Sequence, residues 1–332
     1  MQTPAFIAVE IAIATALYFG FLEFGNDYLF FAGYTVLQFI VLATAWNILG
    51  GYCGYVNFGS AGFFALGAYS AIFLHTLGQQ ADEIFPESMT KAVNAVLPLP
   101  VPILIAVGGC VAGLVGLGMG YLTLRLRGVF FAIGTLALAV VLQTFIVNWS
   151  FVGGSRGAYV IPPESIPVFG SYIHYLFALM LVLVIVALTT ARLIERSWLG
   201  IGFATIRDDE LAAEASGVPT LKLKLIATVV SGALMGMAGA PFPFYIGYVE
   251  PGSAFDLSYA VNSIAMPMIG GTTSWVGPLV GSLLLGTLQQ VATVTISSAV
   301  NLLIVGLLLI GFVVLAPRGI VGLWEAWRRS KP

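Results

Sequence analysis

The chain has 332 residues, of which 59% are apolar and 8% are Asp, Glu, Lys or Arg, with a net charge of −2 at pH 7. A soluble domain carries about a quarter charged residues, so the composition excludes a string of soluble domains, and the lack of basic excess excludes nucleic acid as a partner. Long uncharged runs such as 177–191 and 302–316 approach the ~20 residues that cross ~30 Å of hydrocarbon, and their continuity excludes a β-barrel, whose short strands alternate.

The expected class is therefore all-α, a polytopic transmembrane helical bundle in the lipid bilayer, with one transmembrane domain over residues 1–332. Apolar runs separated by polar or Gly/Pro clusters place about ten spans, at 5–22, 29–49, 58–77, 99–122, 128–148, 171–191, 223–246, 259–271, 277–296 and 301–316. The first run lacks a basic leader and a small-residue cleavage site, so it reads as a retained helix rather than a signal peptide. With both termini in the cytoplasm, the inner loops hold Arg125, Arg127, Arg192, Arg196, Arg207, Lys222, Lys224, Arg318, Arg328, Arg329 and Lys331, whereas the outer side keeps Lys91 and Arg156. That asymmetry sets the orientation, and it makes 192–222 a cytoplasmic loop and 317–332 a cytoplasmic basic tail.

Two segments resist a plain helical reading: Gly50-Gly51-Tyr-Cys-Gly54, running on to Gly59 and Gly62, and Gly270-Gly271-Thr-Thr-Ser-Trp-Val-Gly277-Pro278. Each opens on a Gly pair and carries an aromatic five positions on, Tyr55 and Trp275. They read either as a weak internal repeat that sets broken or re-entrant helices around a pathway, or as two unrelated Gly-rich loops. Gly62, Gly67, Gly277, Gly281 and Gly286 are placed to let helices approach closely. Non-helical backbone at membrane depth survives only inside protein or along a watery cavity, which makes Asn57, Ser60, Asn262 and Thr272 candidate path-lining residues.

Little in the chain suggests catalysis. His75 and His174 stand without ligand-spaced neighbours, no metal site is indicated, and Cys53 and Cys110 read as small packing residues. Glu10 is the one acidic residue inside a predicted span, the feature an ion-coupled secondary transporter needs. A channel-like facilitator is the other rival, but it leaves the charged loop unexplained. There is no Gly-Lys dipeptide and hence no Walker A phosphate loop, so the chain binds no ATP of its own by that device.

The loop 192–222 concentrates charge in an otherwise apolar chain. Asp208 is suited to cap a helix over 209–216, Asp209 and Glu210 fall in its first turn, and Gly217 and Pro219 end it. Leu211, Ala212 and Ala215 fall on one side, small enough for close approach. A helix of two turns is unstable alone in water and needs a surface to pack on.

These residues resemble the coupling segment of ABC-importer permeases, whose motif is Glu-Ala-Ala-x-x-x-Gly. Ala212-Ala213-x-x-x-Gly217 keeps its spacing, with Leu211 where the motif has Glu. Residues 196–218, Lys222-x-Lys224-Leu and Ser231-Gly-Ala-Leu-Met-Gly-Met-Ala-Gly239-Ala240 resemble the branched-chain amino acid permease family of LivM type. So do Gly50 to Gly54 with Gly59 to Tyr69, Arg125-Leu-Arg127-Gly128, Gly153 to Gly157, and Ala316-Pro317-Arg318-Gly319. The resemblance implies the ABC-importer permease fold in a bacterial inner membrane and a heterodimer with a LivH-type permease. It also implies two ATP-binding subunits, carrying ATP and Mg, and a periplasmic substrate-binding protein that meets the outer loop near Gly153 to Gly157. The solute is left open among branched-chain or other amino acids, urea, short amides and aromatic acids. Arg207, Asp208, Asp209, Glu210, Leu211, Ala212, Ala213, Glu214 and Gly217 are the expected coupling residues, with helix breaks at Gly50, Gly51, Gly54, Gly270, Gly271 and Gly277.

Overall fold

The computed structural model describes residues 3–84, 86–123, 126, 128–162, 165–166, 169–295, 303, 306–307, 310–311 and 319–329. Helix α1 (Thr3–Phe24) leads into α2 (Asp27–Asn47), which is capped by Asn26 accepting from the Tyr28 N–H. One π-helical turn, Ile48–Tyr52, ends α2. Then follow α3 (Ser60–Gln79), α4 (Ala81–Ile84), α5 (Glu87–Val96), α6 (Val101–Thr123) and α7 (Val129–Val147). Three two-residue strands, β1 (Ala158–Tyr159), β2 (Ser165–Ile166) and β3 (Gly170–Ser171), precede α8 (Tyr172–Glu195). The chain continues through α9 (Trp198–Asp208), α10 (Glu210–Ala215), α11 (Thr220–Gly239), α12 (Phe242–Ile246), β4 (Tyr248–Val249), α13 (Pro251–Ala254), α14 (Leu257–Gly270), α15 (Val276–Thr295) and a C-terminal helix, Gly319–Arg329. β1 pairs antiparallel with β4, Ala158 opposite Val249, and β2 with β3.

The class is as expected, an all-α polytopic membrane bundle, but the count of about ten spans is not confirmed. Among the described residues seven helical segments are long and apolar enough to cross a membrane: Thr3–Phe24, Asp27–Tyr52, Ser60–Gln79, Val101–Thr123, Val129–Val147, Tyr172–Glu195 and Thr220–Ile246. Helix α14 has 14 residues, about 21 Å at 1.5 Å per residue, which falls short of ~30 Å of hydrocarbon. Pro267 inside it and Gly271 after it, at φ +119°, keep it short. Helix α15 is long enough but diluted by Ser282, Thr287, Gln289 and Gln290. The expected span 301–316 lies mostly outside the described residues, and Arg125, Arg127, Arg318 and residues 330–332 lie outside them entirely.

Burial sorts the helices. α2 is enclosed on every side from Leu37 to Asn47, the mark of a central helix. α1 buries only Phe6, and α7 exposes Val129, Phe130, Ile133, Val140, Val141 and Phe145. Between these, α11 packs chiefly on α6 and α3. Without water to drive helices together in lipid, close backbone approach does the work. A Cβ on Gly67 would stand 1.9 Å from the Gly236 carbonyl oxygen, and one on Gly239 would stand 1.9 Å from that of Phe64. Of the glycines expected at helix contacts, Gly281 likewise lies against the Met266 carbonyl and Gly62 against Ala139, whereas Gly286 meets Val36 at an ordinary distance.

Substituting Gly239→Ala should cost about 1–3 kcal/mol by overpacking α3 against α11, seen as a lower unfolding midpoint in detergent. Gly118→Ala, with nothing within 4 Å of its would-be Cβ, should leave the midpoint unchanged or slightly raised, because Ala is the better helix former.

Candidate functional site

The two Gly-rich breaks and the loop 192–222 lie together at one end of the bundle. The first break begins where α2 widens into its π turn at Gly50 and Gly51. A Cβ on Gly51 would meet Asn47 and the Thr272 carbonyl oxygen at 2.6 Å, and Gly54 sits at φ +81°, where only glycine is unstrained. From there to Gly59 the backbone is irregular, and it finds its partners locally. Tyr55 N–H donates to the Leu49 carbonyl at 3.1 Å, and the Trp46 indole donates to the Asn57 carbonyl at 2.8 Å. Gly59 N–H donates to Asn57 Oδ1 at 2.7 Å, and Phe58 N–H to Thr135 Oγ1 at 3.1 Å.

The second break, from Gly271 to Trp275, touches the first. Asn47 Nδ2 donates to the Ser274 carbonyl at 3.5 Å. One carboxylate oxygen of Glu195, at the end of α8, accepts from the Trp275 N–H at 3.0 Å and from the Tyr52 hydroxyl at 3.4 Å. Glu195 thus clamps both breaks to α8. Beside it the buried Arg192 guanidinium stacks 3.7 Å over the Phe6 ring, which meets Trp275 edge-on at 4.8 Å. Gly319, at φ +67°, lies so close to Gly270 and Gly271 that a Cβ there would fall 2.4 Å from the Gly271 nitrogen. The start of α1 and the start of the C-terminal helix therefore share this end with the loop.

The loop itself is two helices, where one was expected. Ser197 caps α9 by accepting from the Leu199 N–H, and Phe203 and Ile206 anchor it in the bundle. The expected cap by Asp208 is corrected: those apolar anchors carry α9 on to Asp208, and Asp209 caps the following helix by accepting from the Ala212 N–H at 3.0 Å. Gly217 closes α10 as expected, at φ +84°, with Val218 N–H bonded to Ala213 and Gly217 N–H to Glu214, the paired bonds of a Schellman cap.

The residues expected to couple divide by face. Leu211, Ala212 and Ala215 are exposed, Leu211 at 63%, whereas Ala213 is buried. Glu210 turns inward: its Oε1 is 2.6 Å from Lys224 Nζ, and its Oε2 accepts from the Tyr55 hydroxyl. Glu214 Oε1 accepts from Thr220 Oγ1 at 2.9 Å. Arg207 Nη1 donates to the Gly51 carbonyl at 3.4 Å, while Asp208 stays exposed beside it. The sequence did not single out Glu195, the Tyr55–Glu210–Lys224 cluster, or the exposed Trp198 and Ile201, one turn apart on α9.

The candidate path residues are engaged in packing. Asn57 and Ser60 are buried at the exit of the first break, with Ser60 Oγ bonded to the Asn57 carbonyl at 3.5 Å. Asn262 Oδ1 accepts from Gln289 Nε2 at 2.8 Å, joining α14 to α15. Thr272 is half-buried in the second break. Glu10 accepts from Thr189 Oγ1 at 3.0 Å, tying α1 to α8. At the other end of the bundle a cavity of about 370 Å³ opens among Asp27, Phe31, Ser171, Tyr172 and Tyr245, and His174 pairs with Asp27 at 3.0 Å. Among the described residues no three His, Cys, Asp or Glu are grouped to hold a metal ion.

The family model of the branched-chain amino acid transport system permease component matches residues 28–313. The high-affinity branched-chain amino acid transport system permease protein LivM of Escherichia coli (strain K12) is 25% identical over 273 residues, which is 74% of this chain and 59% of that protein. The probable branched-chain amino acid transport permease protein LivH of Methanocaldococcus jannaschii is 26% identical over 245 residues, 70% of this chain and 76% of that one. The autoinducer 2 import system permease protein LsrC of Yersinia enterocolitica is 25% identical over 212 residues, 60% and 57% of the two chains. The match thus spans 59% of the length of the LivM proteins of E. coli and Salmonella typhimurium. No solved structure matches the chain.

Cys53, fully buried beside this cluster, offers a probe of its closure. Burial pushes its thiol up to about 12, although Lys224 acts in the opposite direction. At pH 8 about one thiol in 10⁴ would then be the reactive thiolate. In a Cys110→Ala background, an aqueous maleimide should leave the folded resting protein unlabelled at pH 8 and label it once denatured.

Proposed function

The chain belongs to the family of branched-chain amino acid transport system permease components, and from that membership we propose that it is the membrane permease subunit of an ATP-driven importer. Its solutes are branched-chain or related amino acids, moved across a bacterial inner membrane by alternating access. Both termini and the loop 192–222 face the cytoplasm, the side that the concentration of basic residues favours. A second permease of LivH type completes the membrane unit. Two separate subunits bind ATP and Mg, and a periplasmic binding protein delivers the solute. The direction follows the relatives named as parts of an import system.

The observation that carries this reading is the division of α10 into two faces. One face is tied through Glu210 and Ala213 to the bundle, and the other leaves Leu211, Ala212 and Ala215 bare, while α9 exposes Trp198 and Ile201 in its first turn. A six-residue helix is held by its surroundings rather than by itself, so it moves with whatever grips the bare face. An ATP-binding subunit that grips it converts its own closure into a tilt of α8 and α11, the spans on either side of the loop. An ion-coupled transporter has no use for such a face, and Glu10, the residue it would employ, is bonded to Thr189.

Co-expression with the ATP-binding subunit tests this directly. The wild-type chain should retain that subunit through purification. Ile201→Asp with Leu211→Asp, which charges exposed apolar positions on both loop helices, should weaken retention about tenfold or more, as loss of a central contact does. Gly217→Pro should do the same, because proline cannot adopt the positive φ that ends α10. Solute uptake by proteoliposomes containing this chain without any ATP-binding subunit, abolished by Glu10→Gln, would sink the importer reading.

A further inference from the structure

We propose that Tyr55, Glu210 and Lys224 form a buried brace through which α10 moves the first helix break, acting as positioning residues for coupling rather than as docking contacts. The proposal rests on the permease reading above and assigns the step that follows docking.

The geometry is that of a closed triangle. Lys224 Nζ lies 2.6 Å from Glu210 Oε1 and 3.2 Å from the Tyr55 hydroxyl, and Tyr55 donates to Glu210 Oε2. The Lys224 side chain is 3% exposed and that of Glu210 13%. Taking a lysine and a carboxylate out of water is unfavourable unless their geometry is good and their remaining valences are met. Here the tyrosine meets them, and the ammonium also stands 4.7 Å from the centre of its ring. A buried, fully bonded ionic cluster is a poor general adhesive in a membrane bundle, but it fixes one arrangement of the parts it joins.

Those parts are the ones a coupling step has to connect. Glu210 is the first residue of α10, Lys224 lies in the first two turns of α11, and Tyr55 lies in the irregular stretch between Gly54 and Asn57. A displacement of α10 therefore reaches the bundle at two points. Through Lys224 it reaches α11, whose glycines seat it on α3 and α6, and through Tyr55 it reaches the chain that leads into α3. Phe131 of α7 lies edge-on to the Tyr55 ring at 5.0 Å, which steadies the ring independently of its hydroxyl. Arg207 adds a second tie from the end of α9, donating to the Gly51 carbonyl with its Cα 3.2 Å from where a Gly54 Cβ would be. The stretch from Gly54 to Gly59 has no helical ladder of its own: its bonds are Tyr55 N–H to the Leu49 carbonyl and the side-chain bonds at Asn57 and Thr135.

The test uses the complete transporter in proteoliposomes, with its second permease, ATP-binding subunits and binding protein. Three quantities are read: retention of the ATP-binding subunits, ATP hydrolysed, and solute accumulated per ATP. Tyr55→Phe and Glu210→Gln should keep the subunits and hydrolyse ATP, while solute per ATP falls about tenfold, within the usual range of a coupling constant. Glu210→Lys combined with Lys224→Glu, which restores the pair with its charges exchanged, should recover solute per ATP relative to either single reversal. Wild-type solute per ATP in both Tyr55→Phe and Glu210→Gln would overturn the brace. Loss of the ATP-binding subunits in step with transport would overturn it too, since Glu210 would then be a docking contact. Tyr55→Phe preserves the ring packing on Phe131 and so separates coupling from folding. Failure of the permease reading has a different signature, a wild-type assembly whose uptake needs no ATP hydrolysis.

Discussion

Backbone that leaves the helical path inside a bundle must find new partners for the N–H and C=O groups it releases, since a buried group left bare costs about 1–3 kcal/mol. This chain leaves the path twice, after Tyr52 and after Gly270. The first departure closes largely on itself, through Tyr55 and Asn57, and on Thr135 of α7. The second leans on its neighbours: Asn47 at the end of α2 reaches the Ser274 carbonyl, and Glu195 of α8 accepts from the Trp275 N–H and from the Tyr52 hydroxyl. Asn47 and Glu195 thus hold the second break at the same end of the bundle as the first. Phe6 packs on Trp275 and Gly319 on Gly271, which brings the start of α1 and of the C-terminal helix to that end.

Close backbone packing runs through both parts of the bundle. Where α3 meets α11, backbone touches backbone at Gly67 and Gly239, and such contacts have no slack. The breaks are packed as closely, Gly51 on the Thr272 carbonyl and Gly319 on Gly271. The charges of the loop end divide about them: Arg207, Glu210 and Lys224 bond to the first break, and Asp208, Asp209 and Glu214 are exposed.

Much of this was legible in the sequence, and the rest was hidden for identifiable reasons. The membrane class, seven of the helical segments and both breaks follow from composition and from paired glycines, which are local signals. Gly217 was placed correctly because a Schellman cap is set by the residues next to it. The cap at the other end of α10 was misplaced by one residue. Asp208 and Asp209 are equally good caps locally, and the choice between them was made by the burial of Phe203 and Ile206. Glu195 joins residues 143 and 80 positions away in sequence, and no periodicity announces such contacts. The count of about ten spans is not confirmed, and one reason lies in α14, which Pro267 and the glycines at 270–271, visible as a break, hold to 14 residues. In a helix as short as α10, apolar spacing alone could not say which way Glu210 would point, since either face had small residues.

Glu210 also bears on the substitution that sets this chain apart from the importer motif, Leu211 in the motif's glutamate position. Adjacent residues on a helix point about 100° apart, so a glutamate at 211 would stand on the bare face of α10. A carboxylate does occur here, but one residue earlier and turned into the bundle, where Lys224 holds it. The exposed side of α10 is thereby left with Leu211, Ala212 and Ala215, with the carboxylate of Glu214 one turn from Leu211. A contact made on Leu211, Ala212 and Ala215 would be stabilised by removing apolar area from water, at about 25 cal/mol per Å². Under the proposed docking, the carboxylate turned inward takes no part in that contact: it is held by Lys224 and Tyr55 and fixes how α10 sits on the bundle.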